Sequence, residues 1–249
     1  MTPNFPYALT GPIGSAATLG LVVLQVDETI EQDFQRLFCS PDVALYISRI
    51  PSGAELTPDT IAQMEIDLPR AVSLLPPAAN FDAIAYACTS GTTLIGASRV
   101  ADLVAKNATT KAVCDPLSAT LAALNSLDVQ SVAIVSPYVA AVADPIRAEF
   151  ERAGFGVPAT LSFGEEIEAR VARIDPASIR EAALKIGARK DVDAVFLSCT
   201  NLRTLDIIND LENTLGKPVI SSNQALAWHM AQMTGAPLAR DAPGRLYQT

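Results

Sequence analysis

The feature that most constrains this 249-residue chain is that its sequence reads nearly the same way twice. Asp82-Ala83-Ile84-Ala85-Tyr86-Ala87-Cys88-Thr89 in the first half parallels Asp193-Ala194-Val195-Phe196-Leu197-Ser198-Cys199-Thr200 in the second. An apolar run, Leu19–Leu24, opens the first half, and Val132–Ser136 opens the second. Cys88 lies 64 residues beyond Leu24, and Cys199 lies 63 beyond Ser136. After each Cys-Thr comes a helical stretch and then a short strand pattern, Lys111–Val113 or Lys217–Val219. Buried strands often resemble one another by composition alone. Here the matched spacing and the shared Asp-Ala…Cys-Thr point to a duplicated unit.

Strand-like runs alternate with helical patterns throughout. Strands are expected at Leu19–Leu24, Val43–Ile50, Ala83–Ala87, Lys111–Cys114, Ser131–Val135, Val157–Leu161, Ala194–Leu197 and Pro218–Ile220. Helices are expected near Glu28–Phe38, Pro58–Leu75, Thr93–Val104, Pro116–Ser126, Val139–Ala153, Pro176–Ala188, Leu202–Leu215 and Asn223–Met233. Thr57-Pro58, Asp115-Pro116 and Asp175-Pro176 read as a polar cap followed by proline in the first helical turn. This alternation predicts an α/β fold of parallel βαβ units. Two pseudo-symmetric lobes are expected, each a short, mainly parallel sheet flanked by helices, with the active site in the cleft between them. Residues 1–115 would form lobe 1, completed by a C-terminal helix, 222–249, and residues 116–221 would form lobe 2.

Composition removes several function classes. With 49% apolar and 18% charged residues the chain reads as globular. Its net charge of −9 argues against nucleic-acid binding, which needs a basic face. The apolar runs fall short of the roughly 20 residues that a membrane span needs. Met1–Gly20 lacks the basic and apolar regions of a signal peptide. A cytoplasmic protein with no membrane partner is therefore expected. The four cysteines, Cys39, Cys88, Cys114 and Cys199, include no C-x-x-C pair, and the single histidine is His229. No metal site is expected from those spacings.

In a parallel sheet, ligands bind beyond the carboxyl ends of the strands. Cys88 and Cys199 both sit at such ends and lead into helical segments, so the two lobes would present them to one cleft. Backbone N–H groups at a strand-to-helix turn favour thiolate over thiol, which predicts lowered thiol pKa values. Two thiols on opposite faces of one carbon can remove a proton on one side and deliver one on the other, inverting the centre. Alternatively, one adds to an activated double bond while the other supplies a proton, which permits cis–trans isomerisation. Cys39 and Cys114 read as structural, so an alkylating reagent is expected to find Cys88 or Cys199 first. His229, within Trp228-His229-Met230, reads as structural too. Glu165, Glu166 and Glu168 read by default as a solvated cluster.

Tyr86–Thr92 and Leu197–Arg203 resemble the two cysteine motifs of the aspartate/glutamate racemase superfamily, closest to its maleate cis–trans isomerase branch. Ser136-Pro137-Tyr138 resembles that branch's substrate-binding tyrosine segment, and Lys217–Trp228 resembles its C-terminal segment. The resemblance implies two α/β lobes and cofactor-free chemistry. It makes Cys88 the nucleophile and Cys199 the proton donor, with Thr89, Ser90, Tyr138, Thr200 and Asn201 around the substrate. In one place the chain departs from the branch. Maleate isomerases read Pro-Ser-Ser-Asn-Thr after the first strand, where the Asn holds a substrate carboxylate; this chain has Asp27. The segment Leu24–Glu31 resembles instead the ectoine-utilisation (EutA) proteins of the superfamily. Asp27 then either pairs with a substrate ammonium or caps the following helix.

The expected function is a cofactor-independent isomerase, either a racemase or epimerase or a cis–trans isomerase, acting on a small carboxylic or amino acid. The alternatives are a maleate isomerase proper, a cofactor-free decarboxylase of the arylmalonate type, and a two-lobed binding protein without catalysis. Homo-oligomerisation stays open.

Overall fold

The computed structural model describes residues 4–55 and 57–249; Met1–Pro3, at the start of the N-terminal segment, lie outside the described residues. The first sheet contains β1 (Ala17–Leu24), β2 (Val43–Ile50), β3 (Ala83–Ala87) and β4 (Val113–Cys114), in the order β2-β1-β3-β4. The second contains β5 (Ser131–Ser136), β6 (Gly156–Ser162), β7 (Ala194–Leu197) and β8 (Val219–Ser221), in the order β6-β5-β7-β8. All strand pairs within both sheets are parallel. The two orders superimpose when each strand of the first half is matched to its counterpart in the second. Every residue of β1 is buried, as are all of β3 and β7, as continuous apolar runs require when helices cover both faces.

The duplicated aspartates perform the same task in each lobe. Asp82 Oδ2 accepts the Thr18 N–H at 2.8 Å, and Asp193 Oδ2 accepts the Ser131 N–H at 2.8 Å. Each pins the first residues of its lobe's central strand to the start of the strand that carries the cysteine. This is why Asp-Ala recurs at the head of both motifs.

The helices are α1 (Ile30–Leu37), α2 (Pro58–Ser73), α3 (Thr89–Ile95), α4 (Ala97–Ala105), α5 (Pro116–Ser126), α6 (Ala140–Arg152), α7 (Glu168–Val171), α8 (Pro176–Gly187), α9 (Ile208–Leu215) and α10 (Ser222–Thr234). The three Thr/Asp-Pro signals all cap helices: Thr57 with Thr60, Asp115 with the Ser118 N–H, and Asp175 with the Ala177 N–H. The single helix expected at Thr93–Val104 is two, α3 and α4, separated by Gly96 at φ 94°, a conformation that glycine adopts without strain. The stretch expected to be helical from Leu202 begins with a turn and a short 3-10 segment, and α-helix starts only at Ile208. Helix α10 packs on α5 and also meets β3 and α1 of the first half. No helix among the described residues is long and apolar enough to cross a membrane.

Candidate functional site

Cys88 ends β3 and is itself the N-cap of α3: its Sγ accepts the Gly91 N–H at 3.2 Å and lies 3.5 Å from Ser90 Oγ. Gly91 is required here. A Cβ at this position would sit 2.5 Å from Tyr86 Oη and 2.9 Å from the Cys88 sulfur. Cys199 follows β7 at φ 157°, with the Asn201 N–H 3.4 Å from its Sγ. One hydroxyl joins the two motifs. Ser222 Oγ is 2.9 Å from Thr89 Oγ1 and accepts the Cys199 N–H at 3.1 Å. Thr200 Oγ1 donates across to the Ala87 carbonyl at 3.4 Å. The residues next to each thiol are thus bonded to one another, and Tyr138 and Glu168 both lie within electrostatic reach of both sulfurs.

All eight residues singled out in the sequence, Asp27, Cys88, Thr89, Ser90, Tyr138, Cys199, Thr200 and Asn201, are buried at this junction. Their local states differ from expectation in three respects. First, neither thiol is acidified. Burial pushes Cys88 up to about 11, against the opposing pull of the Ser90 hydroxyl and the Gly91 N–H, and burial raises Cys199 well above its ordinary value. Desolvation of a charge outweighs a few hydrogen bonds when the sulfur is sealed from water. Second, Cys39 is the exposed cysteine, while Cys88 and Cys199 are 3% and 4% exposed, which reverses the expected order of alkylation. Third, Asn201 is committed to the scaffold. Its Oδ1 accepts the Glu28 N–H at 2.9 Å, its Nδ2 donates to the Glu168 carbonyl at 3.2 Å, and its own carbonyl accepts the Thr29 hydroxyl at 2.9 Å.

Asp27 caps the following helix, one of the two roles weighed for it. Oδ1 accepts the N–H groups of Thr29 and Ile30, at 2.8 and 2.9 Å, and so begins α1. Oδ2 is buried without a hydrogen-bond partner, and burial raises the group's pKa.

Glu168 was hidden in the sequence. The default solvated reading fits Glu166, which is exposed, and fails for Glu168, which is 2% exposed. The loop after β2 folds over it. Glu55 and Ile167 form an isolated antiparallel bridge, and the Glu168 N–H donates to the Ala54 carbonyl at 3.1 Å. Burial lifts the Glu168 carboxyl to about 7; the Asn201 amide opposes the shift and the Asp27 charge adds to it. Ser222, which joins the motifs, and Tyr86, whose hydroxyl lies beside Cys88, also escaped the sequence reading. The duplication marks the place of Ser222: it opens α10 after the capping Ser221, as Pro116 opens α5 after the capping Asp115.

Away from this junction, His229 is half-buried. Its Nδ1 lies 3.4 Å from Cys114 Sγ, and its ring stacks on Trp228. Among the described residues, no group of three or more His, Cys, Asp or Glu side chains is placed to hold a metal ion.

The chain is 29% identical over 240 residues to an arylmalonate decarboxylase from Bordetella bronchiseptica, covering 94% of this chain and 97% of that protein. It is 26% identical over 239 residues to a maleate isomerase from Nocardia farcinica, covering 92% and 94%. A solved structure of the Nocardia farcinica maleate cis–trans isomerase, bound to TRIS, matches with a TM-score of 0.82 at 25% identity, over 92% of this chain and 97% of that one. The family model described as arylmalonate decarboxylase matches residues 68–247, well over half of the sequence, and the chain belongs to that family.

Proposed function

We propose that the protein is a cofactor-independent isomerase of a small carboxylic or amino acid, with Cys88 and Cys199 as its paired acid and base. One observation carries this reading: two buried thiols follow equivalent strands of two like lobes, and the residues around them are joined through the Ser222 hydroxyl.

The chemistry needs one negative charge shared by two sulfurs. A thiolate on one face takes the α-proton and becomes a thiol, leaving the electron pair on the substrate as an enediolate. The thiol on the other face gives its proton to that carbon and becomes the thiolate. The centre is inverted, no proton is gained or lost overall, and the charge has moved from one sulfur to the other. Beside Cys88, the Gly91 N–H and the Ser90 and Tyr86 hydroxyls favour the thiolate; beside Cys199, the Tyr138 hydroxyl and the Asn201 N–H do so. With an unsaturated acid the same pair works differently. Cys88 adds to the double bond, the resulting single bond rotates, and elimination returns the thiolate. Thr89, Ser90, Tyr138 and Thr200 are assigned to binding the substrate.

A second reading is favoured by the relative from Bordetella bronchiseptica: loss of carbon dioxide from a malonate-type acid, with one thiol protonating the carbanion. Within the isomerase reading, the Leu24–Glu31 segment favours an amino acid of the kind released when the ectoine ring is opened. Proton NMR in deuterium oxide separates the two reactions. An isomerase exchanges the α-proton, or interconverts maleate and fumarate, without loss of carbon. Release of carbon dioxide with single-site deuteration would replace the isomerase reading by the decarboxylase one.

A further inference from the structure

We propose that Asp27 and Glu168 together form a subsite for a protonated amine, so that the acid handled at the thiols carries an ammonium group as well as a carboxylate. The identity of the reaction rests on the thiol reading above; the subsite does not.

The argument begins with an unmatched charge. Asp27 is 2% exposed, and its Oδ2 has no hydrogen-bond partner, so the Glu168 carboxyl is not bonded to it. Glu168, also 2% exposed, feels the Asp27 charge, and both act electrostatically on Cys199. Nearby cations are engaged elsewhere. Arg49 donates to the carbonyls of Leu24, Gln25 and Asp27 and to the Glu31 carboxylate. Arg173 is paired with Glu28, and Arg170 with Glu165. The next acid behind Asp27 is Asp33, whose Oδ2 accepts the Asn223 amide at 2.8 Å and whose carboxyl burial raises to about 6. Burial outweighs the downward pull of the Thr200 hydroxyl and, more weakly, of the Arg49 charge on the Asp27 pKa, and the group stays raised.

A buried carboxylate with one oxygen bonded to no cation is costly. The free protein meets that cost with protons, which is why both groups hold theirs more tightly than usual. A ligand can meet it better. An ammonium group offers three donors and no acceptor, which suits an orphan carboxylate oxygen beside a second carboxyl. A second carboxylate on the ligand would meet repulsion, and the Asn201 amide is already bonded into the scaffold. The Asp27 cap leaves Oδ2 unused, because both backbone donors of the helix start go to Oδ1. The pair therefore sorts ligands by the sign of the group they present beside Cys199.

The test is calorimetric binding of three probes, 4-aminobutyrate, aspartate and succinate, to the full chain at pH 8, for wild type, Asp27→Asn and Glu168→Gln. The wild type should bind at least one amine about ten-fold or more tightly than succinate, a difference of the size a charge-assisted bond supplies. Either substitution should erase that preference while the melting temperature reports an intact fold. Equal or tighter binding of succinate to the wild type overturns the proposal, as does failure of both amines to bind. An amine preference unchanged in both folded variants overturns it as well. Turnover is followed separately by α-proton exchange. Amine preference without exchange leaves the subsite standing and removes the thiol reaction; exchange on an amine-free acid with no amine preference does the reverse.

Discussion

The two cysteine motifs descend from one pattern and have come to serve different ends. In the first, Cys88 caps α3 directly, so its sulfur faces a helix start and a glycine that leaves room for Tyr86. In the second, no α-helix begins until Ile208, and the residues after Cys199 turn back toward the first lobe. There Asn201 binds the Glu28 N–H and the Thr29 hydroxyl, and so fastens one lobe to the other. The strands, the aspartate anchors and the sheet orders are shared; the loops after the cysteines are not. A repeated scaffold thus supplies two sulfurs by symmetry and then gives them unlike surroundings.

The largest expected effect tests whether the two sulfurs are unlike in function. Cys88→Ser and Cys199→Ser should each lower turnover by about 10²–10⁴-fold, the usual worth of a positioned acid or base. Each should still exchange the α-proton of one antipode with deuterium, and the two variants should favour opposite antipodes. Identical residual exchange in both would remove the distinction. Circular dichroism checks that the fold survives.

Next comes the fastening. Asn201→Ala strands the Glu28 N–H and the Glu168 carbonyl in a buried junction. It should cost about 2–5 kcal/mol in a denaturant titration, as loss of several buried partners does. A loss no larger than that of a surface alanine would show that the second motif does not hold the lobes together.

Glu168 gives a smaller effect with a definite sign. Its carboxyl is raised from 4.5 to about 7, so the folded protein holds a proton that the unfolded chain releases. That contribution is complete below pH 4.5 and is lost as pH rises through about 7. It amounts to at most about 3 kcal/mol at 1.36 kcal/mol per unit. Glu168→Gln should abolish this part of the pH dependence, so the stability difference between variant and wild type grows across that window and levels off above it. The smallest effect concerns Cys39: one equivalent of alkylating reagent should label it first and leave activity unchanged.

Much of this was legible in the sequence, and what was not follows a pattern. The central strands were visible because parallel strands covered on both faces must be apolar along their whole length, as Ala83–Ala87 and Ala194–Leu197 are. The caps at Asp115 and Asp175 were visible because capping is local. The break at Gly96 was not, since the helical pattern continues across it and one backbone angle decides the matter. Nor was Glu168, whose neighbours are those of a solvated turn; only the distant Ala54–Glu55 segment, folding over it, buries the side chain. The thiol acidity failed for the same reason. The helix amides are written next to Cys88 in the sequence, whereas the burial that overrides them is assembled from the whole molecule.

The sealing of the two sulfurs also bears on how the protein meets oxidants. Peroxide attacks thiolates that solvent can reach, carrying them through sulfenic acid to forms that cells do not readily repair. At rest, Cys88 and Cys199 are protonated and shut away, while Cys39 stands in water. Damage to the resting protein therefore falls first on Cys39, the cysteine that solvent reaches. Oxidation of Cys88 or Cys199 requires both an oxidant inside the fold and a thiol that has given up its proton. Its rate is therefore set by how often the fold opens to solvent, and it is slow while the structure stays closed.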